Sequence, residues 1–297
     1  MRVAVTGATG FLGRYIVNHL MSEGYACRCW HREESDRGGF DVRPDEIEWL
    51  PGHLQDPGSM NRLVEGVDAV VHGALDRPGA GFRGAEGDLV DFVQANVVGS
   101  IALIEAARQA KVPRFIFIST CAVHEKILGD RKLDETHPLW PMSHYGAHKA
   151  AIEKFVHSFG LGMGYDICSL RPTGIYGPAR PIEKSKWYDL VHKVKSGETI
   201  SSSFGGKEVY AGDVAKAVGI LLTAEGIAGE CYNCYDMYIA DQDVASIAQE
   251  VTGSASVIEY LNEGPKNQIS TKKLRDLGMH FSGDAAVEST VRTLLKS

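Results

Sequence analysis

The chain has 297 residues, 44% of them hydrophobic and 23% charged, with a formal net charge of −7. That balance suits one large domain, or a domain with a second lobe, and excludes disordered, collagenous and low-complexity classes. An acidic chain without a basic cluster argues against a nucleic-acid partner. No apolar run approaches the roughly 20 residues that span a bilayer. The N-terminus passes straight into a glycine loop instead of a secretory h-region. Six cysteines are too few for a disulfide scaffold in so long a chain. A cytoplasmic protein without a membrane partner is expected.

Short apolar runs at 3–6, 26–30, 47–50, 69–72 and 115–119 predict strands, and helix-period segments at 11–22 and 89–109 lie between them. A helix at 145–158 and strands at 166–171 and 229–234 follow, so up to about seven strands can share one sheet. The expected class is α/β, a doubly wound parallel sheet. Segments 173–206 and 236–297 carry weaker strand signals and are expected to form a smaller C-terminal substrate lobe. That leaves 1–172 and 207–235 as the dinucleotide-binding domain. The stretch 76–87 holds four glycines and reads either as a mobile loop beside the pocket or as a solvated connector.

The run Thr6, Gly7, Ala8, Thr9, Gly10, Phe11, Leu12, Gly13 follows the first strand and opens the first helix. Gly7 lets the chain turn, Gly10 admits a pyrophosphate to the backbone, and Gly13 allows close packing of helix on strand, with the helix N-terminus facing the negative charge. A dinucleotide site is expected there. The second strand ends in Trp30, His31 and Arg32, where a carboxylate would select NAD and a cation NADP. Arg32 and His31 favour NADP, although a small shift of register would bring Glu33 or Glu34 to the ribose.

Tyr145 and Lys149 lie four apart and share a helix face. The pair gains weight from strand 115–119, which ends in the hydroxyls of Ser119 and Thr120 at the predicted ligand edge. With the glycine loop, the segments 67–72, 96–100, 145–149, 170–178, 213–215 and 229–233 resemble, in order, the signatures of the extended short-chain dehydrogenase/reductases, the NAD(P)-dependent epimerase/dehydratase family. This resemblance implies a Rossmann fold. It also implies that Tyr145 is the acid/base, that Lys149 lowers its pKa and binds the nicotinamide ribose, and that Thr120 holds the substrate oxygen. Asn96 matches the family's helix asparagine, which supports the site or is merely satisfied within its helix. Leu54, Ala74, Pro172 and Ile175 join the implied cofactor residues. Leu75, Cys121, His124, Thr173 and Gly174 join the substrate side.

Departures from the family pattern bear on the substrate. Cys121 and Ala122 stand where the family's dehydratases place Asp and Glu. Gly174 and Gly206 stand where nucleotide-sugar enzymes carry Asn and Arg. The expectation is a dehydrogenase or reductase of a ketone or secondary alcohol on a small, non-nucleotide molecule. A nucleotide-sugar epimerase stays open if Lys207, Arg180 or Lys184 replaces the missing contacts, as does a non-catalytic cofactor-binding regulator. His124, at the epimerases' tyrosine position, either touches substrate or caps a strand. His53 replaces the acid that contacts adenine in relatives. Cys231 and Cys234 read as packing residues, and His144 and His148 as pocket-lining or solvent-facing ones, so no metal is expected. By analogy, the helices at 89–109 and 145–158 pair across a two-fold axis in a homodimer.

Overall fold

The computed structural model describes residues 1–42, 46–78, 84 and 86–297. Seven parallel strands form the central sheet: β1 (Arg2–Thr6), β2 (Ala26–His31), β3 (Glu48–Pro51), β4 (Ala69–His72), β5 (Arg114–Ile118), β6 (Asp166–Pro172) and, late in the chain, β10 (Glu230–Cys234). Their order is β10-β6-β5-β4-β1-β2-β3, which is the doubly wound Rossmann arrangement expected. Strands buried on both faces must be apolar nearly throughout, and Val3 to Val5, Ala69 to Val71 and Phe115 to Phe117 are almost inaccessible.

Helices cover both faces. On one lie α1 (Phe11–Ser22) and α7 (Ala211–Thr223), which bury Ile16, Val17, Leu20, Val214, Val218 and Leu221 against the sheet. On the other lie α2 (Pro57–Val64), α4 (Gly99–Gln109) and α5 (His144–His157), contributing Leu63, Leu103, Ile104, Ile152 and Val156. The helix α3 (Leu89–Val93) runs through a π-helical turn, Gln94–Val98, directly into α4. Contrary to expectation, this Leu89–Gln109 stretch has the length and mean hydropathy, 1.5, of a bilayer-crossing helix. Its apolar residues are divided between two surroundings. Leu103, Ile104 and Ala107 enter the core, while Val90, Val93 and Val98 are exposed.

The remaining elements form a second body around Tyr176, Trp187, Val191, Ile239, Val244 and Val291. A three-stranded sheet joins β7 (Gly174–Tyr176), β9 (Gly205–Tyr210) and β11 (Met237–Ala240) in the order β11-β9-β7, and β8 (Ile200–Ser202) pairs with β12 (Ile258–Tyr260). The helices α6 (Tyr188–Lys195), α8 (Asp241–Thr252) and α10 (Asp284–Leu294) complete it, while α9 (Lys272–Asp276) lies beside β10. An isolated bridge between Leu133 and Ile269 ties two loops together above the sheet. Residues 79–83 and 85 of the glycine-containing loop at 76–87 lie outside the described residues.

Candidate active site

In such a sheet the order reverses between β1 and β4, and a crevice opens where the loops after these strands part. Gly7 and Gly73 meet there. Gly7 adopts φ +75°, and a Cβ on it would lie 2.8 Å from the Gly73 carbonyl carbon. A Cβ on Gly13 would overlap the Gly7 carbonyl oxygen and sit 2.7 Å from the Ala8 Cα. The close approach of α1 to the loop therefore requires glycine at 13. Beneath the loop, the Ser100 hydroxyl donates to the Asn96 carbonyl, so it accepts from His72 Nε2 at 2.8 Å. His72 Nδ1 then accepts from the Thr6 hydroxyl at 2.7 Å, and Thr6 Oγ1 accepts from the Ala74 amide at 3.1 Å. Burial pushes His72 down to about 3, so this relay stays neutral.

Two connected hollows open from the crevice. One, of about 540 Å³, is lined by Gly7, Thr9, Gly10, His31, Arg32, Leu54, Ala74 and Leu75. The other, of about 590 Å³, is lined by Gly7, Gly10, Phe11, Leu12, Gly13 and Leu75, then by Thr120, Cys121, His124, Tyr145, Lys149, Pro172, Thr173, Gly174 and Ile175. Together they bring the expected cofactor and substrate positions into one cleft. Asn96 is the exception. Its side chain accepts from the Asp76 amide at 2.7 Å and donates to the Asp76 and Phe92 carbonyls at 2.7 and 2.9 Å. It thus anchors the segment after β4 without lining either hollow. A separate hollow of about 770 Å³ between α1 and α7 contains none of Thr120, Tyr145 and Lys149.

The first hollow suits the adenosine end of a dinucleotide and the second its nicotinamide end, with the glycine cradle and the N-terminus of α1 between them. At the adenosine end, Arg32 is exposed and 3.4 Å from both Glu34 and Asp76. His31 Nδ1 contacts the Arg32 carbonyl at 2.9 Å. His53 Nδ1 accepts from the Gln55 amide at 3.3 Å.

The reacting side chains come from β5 and α5. Ser143 caps α5 by accepting from the Gly146 amide at 3.1 Å, which sets the helix start so that Tyr145 and Lys149 face the end of β5. Lys149 Nζ donates to the Ile118 carbonyl at 2.8 Å and lies 4.7 Å from the Phe117 ring centroid. Burial brings its pKa down to about 7, with Glu153 pulling the other way. Burial raises the Tyr145 phenol, and the opposing influences are a hydrogen bond with Thr120 and the charge of Arg77. Thr120 Oγ1 also accepts from the Ala122 amide at 3.1 Å.

Cys121 Sγ donates to the Arg171 carbonyl at 3.0 Å, and burial pushes this thiol up to about 12. It is no substitute for a dehydratase's carboxyl. His124 faces the cleft with both ring nitrogens engaged. Nε2 accepts from Arg171 Nη1 at 3.2 Å, which leaves the proton on Nδ1, 3.4 Å from the Pro138 carbonyl. Burial and Arg171 hold His124 near 4. Of the three cations considered as replacement ligands, Lys207 alone lines the cleft. Arg180 binds Asp36 at 2.7 Å and faces the separate hollow, and Lys184 lines neither.

Two arrangements escaped the sequence reading because they depend on strand register. Arg171 and Glu153 form an ion pair at 2.7 Å, 2% and 0% exposed, which the Ser119 hydroxyl joins. The buried Glu208, paired with Lys186, fills the space beside Gly174 and Gly206. The only signal for it was the coincidence of two glycines where relatives carry side chains. Among the described residues no cluster of His, Cys, Asp and Glu could hold a metal. Cys231 and Cys234 are buried, and His144 is exposed while His148 is buried.

Known proteins share this frame. The human dTDP-D-glucose 4,6-dehydratase is 27% identical over 93% of this chain and 84% of its own length. A 4-hydroxy-2-methyl-3-oxo-4-farnesyl-3,4-dihydroquinoline-1-oxide ketoreductase of Stigmatella aurantiaca is 28% identical over 78% of this chain and 67% of its own. The structure of the Thermus thermophilus UDP-glucose 4-epimerase with NAD superposes with a TM-score of 0.79, at 24% identity over 100% of both chains. The dTDP-glucose 4,6-dehydratase of Streptomyces venezuelae with NAD gives 0.79, at 23% identity over 100% of this chain and 98% of that one. The family model for the NAD dependent epimerase/dehydratase family matches residues 3–234. With the glycine cradle and the Thr120, Tyr145 and Lys149 cleft, that match makes the chain a member of this family, an extended short-chain dehydrogenase/reductase.

Proposed function

We propose that the chain is an NAD(P)-dependent oxidoreductase acting on a ketone or secondary alcohol of a small, non-nucleotide substrate, with NADP preferred over NAD. The convergence of Thr120, Tyr145 and Lys149 on the cleft that holds the glycine cradle carries this reading. The bound nicotinamide supplies or accepts the hydride. In this reading Thr120 hydrogen-bonds the substrate oxygen, and the Tyr145 phenol exchanges a proton with it. Lys149, which donates to the Ile118 carbonyl, holds the nicotinamide ribose and favours the phenolate electrostatically in this reading. Cys121 and Ala122 supply no carboxyl for expelling water, which counts against a dehydratase.

The preference for NADP is supported by the fork of Arg32, which lines the adenosine hollow next to Ser35; the carboxylates of Glu34, Asp36 and Asp76 line the same hollow. A small non-nucleotide substrate is supported by Gly174 and Gly206, which offer no donor side chain where relatives carry Asn and Arg, the space beside them being filled by the buried Glu208. The relative named as a ketoreductase is consistent with it. The second reading, a nucleotide-sugar epimerase, is favoured by the names of other relatives and neighbours. We also propose a homodimer, built on the exposed Val90, Val93 and Val98 of the α3–α4 stretch and on Phe155 and Leu161 at the end of α5.

Absorbance at 340 nm, followed with NADPH and a panel of ketones and aldehydes, tests the reaction. Stoichiometric oxidation of NADPH is expected. Sugar inversion without net cofactor turnover would favour the epimerase, and NADPH binding without any turnover would favour a regulator.

A further inference from the structure

Lys207 has no part in the reaction just described, yet it lines the same cleft. In β9 it precedes the buried Glu208, and strand alternation sends its side chain to the opposite face from that carboxylate. The lysine is half-buried, and its ammonium has no hydrogen bond or ion pair among the described residues. Comparable lysines are partnered: Lys186 by Glu208, Lys273 by Glu230 and Lys149 by the Ile118 carbonyl. Burial works against the Lys207 charge, and only the Cys121 thiol supports it.

A second unsatisfied group stands next to it. The pairing of Gly174 with Glu208, continued one residue back, sets Thr173 beside Lys207. Thr173 also lines the cleft, and its Oγ1 is buried without a hydrogen-bond partner. A hydroxyl and an ammonium left without acceptor or counter-charge on one wall are costly unless a ligand satisfies them. Around them the wall is apolar, with Ile127, Leu133, Ile175 and Ile269.

We infer that Lys207 and Thr173 form a subsite for a carboxylate on the substrate, so that the carbonyl compound or alcohol processed at Tyr145 is an oxo or hydroxy acid with an apolar body. The inference rests on the proposed reaction for the word substrate, but the subsite itself is independent of turnover. One ammonium matches one carboxylate, whereas a phosphate or diphosphate would carry charge that this wall, otherwise apolar, does not neutralise. The charge of Arg77 acts on the Tyr145 phenol instead.

Binding to the NADP-loaded protein, measured calorimetrically with phenyl-substituted and straight-chain carboxylates and their neutral amides, tests the subsite without requiring catalysis. Tighter binding of the acids by about 10- to 100-fold is expected, the worth of a charge-assisted hydrogen bond. Lys207→Met should abolish that preference while NADPH affinity is retained, and Lys207→Arg should restore most of it. If Lys207→Met does not fold, the comparison of acids with amides in the wild type decides. Equal binding of both series, no binding of any acid, or a loss of dTDP-glucose affinity in Lys207→Met would each overturn the subsite. Failure of the 340 nm assay would overturn the reaction and leave this result standing.

Discussion

The Lys149 ammonium donates to the Ile118 carbonyl at 2.8 Å, so the last carbonyl of β5 fixes the base of the catalytic helix face. Burial lowers the lysine's pKa to about 7 in the folded protein, whereas an unfolded lysine titrates near 10.4. Between these values the unfolded chain binds more protons, so the lysine's contribution to stability rises with pH. Thermal melts of wild type and Lys149→Met from pH 6 to 9 should therefore show the wild type gaining relative to the variant as pH rises. A constant or shrinking difference would contradict this.

Arg171→Met should be strongly destabilising. It leaves the Glu153 carboxylate, fully buried, without its counter-charge, a change worth about 3–5 kcal/mol. The double variant Arg171→Met with Glu153→Leu should recover much of that loss, because it removes both charges together. Urea unfolding of the three proteins makes the comparison, and a double variant no more stable than the single one would count against it.

Much of the frame could be read from residues close together in the chain. The glycine loop and the strands at 3–6, 69–72 and 115–119 are written as local apolar runs and turns, and the spacing of Tyr145 and Lys149 is a helix property. Relations between distant strands could not be read. Glu208 beside Gly174 depends on β9 joining β7, and Thr173 beside Lys207 on the same register. The role of Asn96 as an anchor for Asp76 depends on where the chain leaves β4. Burial that raises the Tyr145 phenol is likewise a property of the assembled cleft.

Gly13→Ala should cost at least about 3 kcal/mol, the upper range for overpacking a close contact. The added carbon meets backbone atoms of Gly7 and Ala8, which cannot swing aside as a side chain would. Loss of NADPH binding should accompany the drop in melting temperature. A variant with wild-type stability and cofactor affinity would refute the close packing of α1 on the loop.

Arg32→Ala should weaken NADPH binding by about 10- to 100-fold and leave NADH nearly unchanged, since only the former has a phosphate for the guanidinium fork to grip. Fluorescence titration with both nucleotides reads the difference. Tighter NADH binding in the wild type would reverse the assignment.

The most direct test follows the hydride. With NADPH carrying deuterium at both C4 positions of its nicotinamide ring and a ketone substrate found in the panel, the product should carry one deuterium on its carbinol carbon. Tyr145→Phe should lower that transfer by about 100- to 10,000-fold, the usual worth of a positioned acid, while NADPH binding persists. A product without label, or undiminished transfer in Tyr145→Phe, would contradict the proposed chemistry.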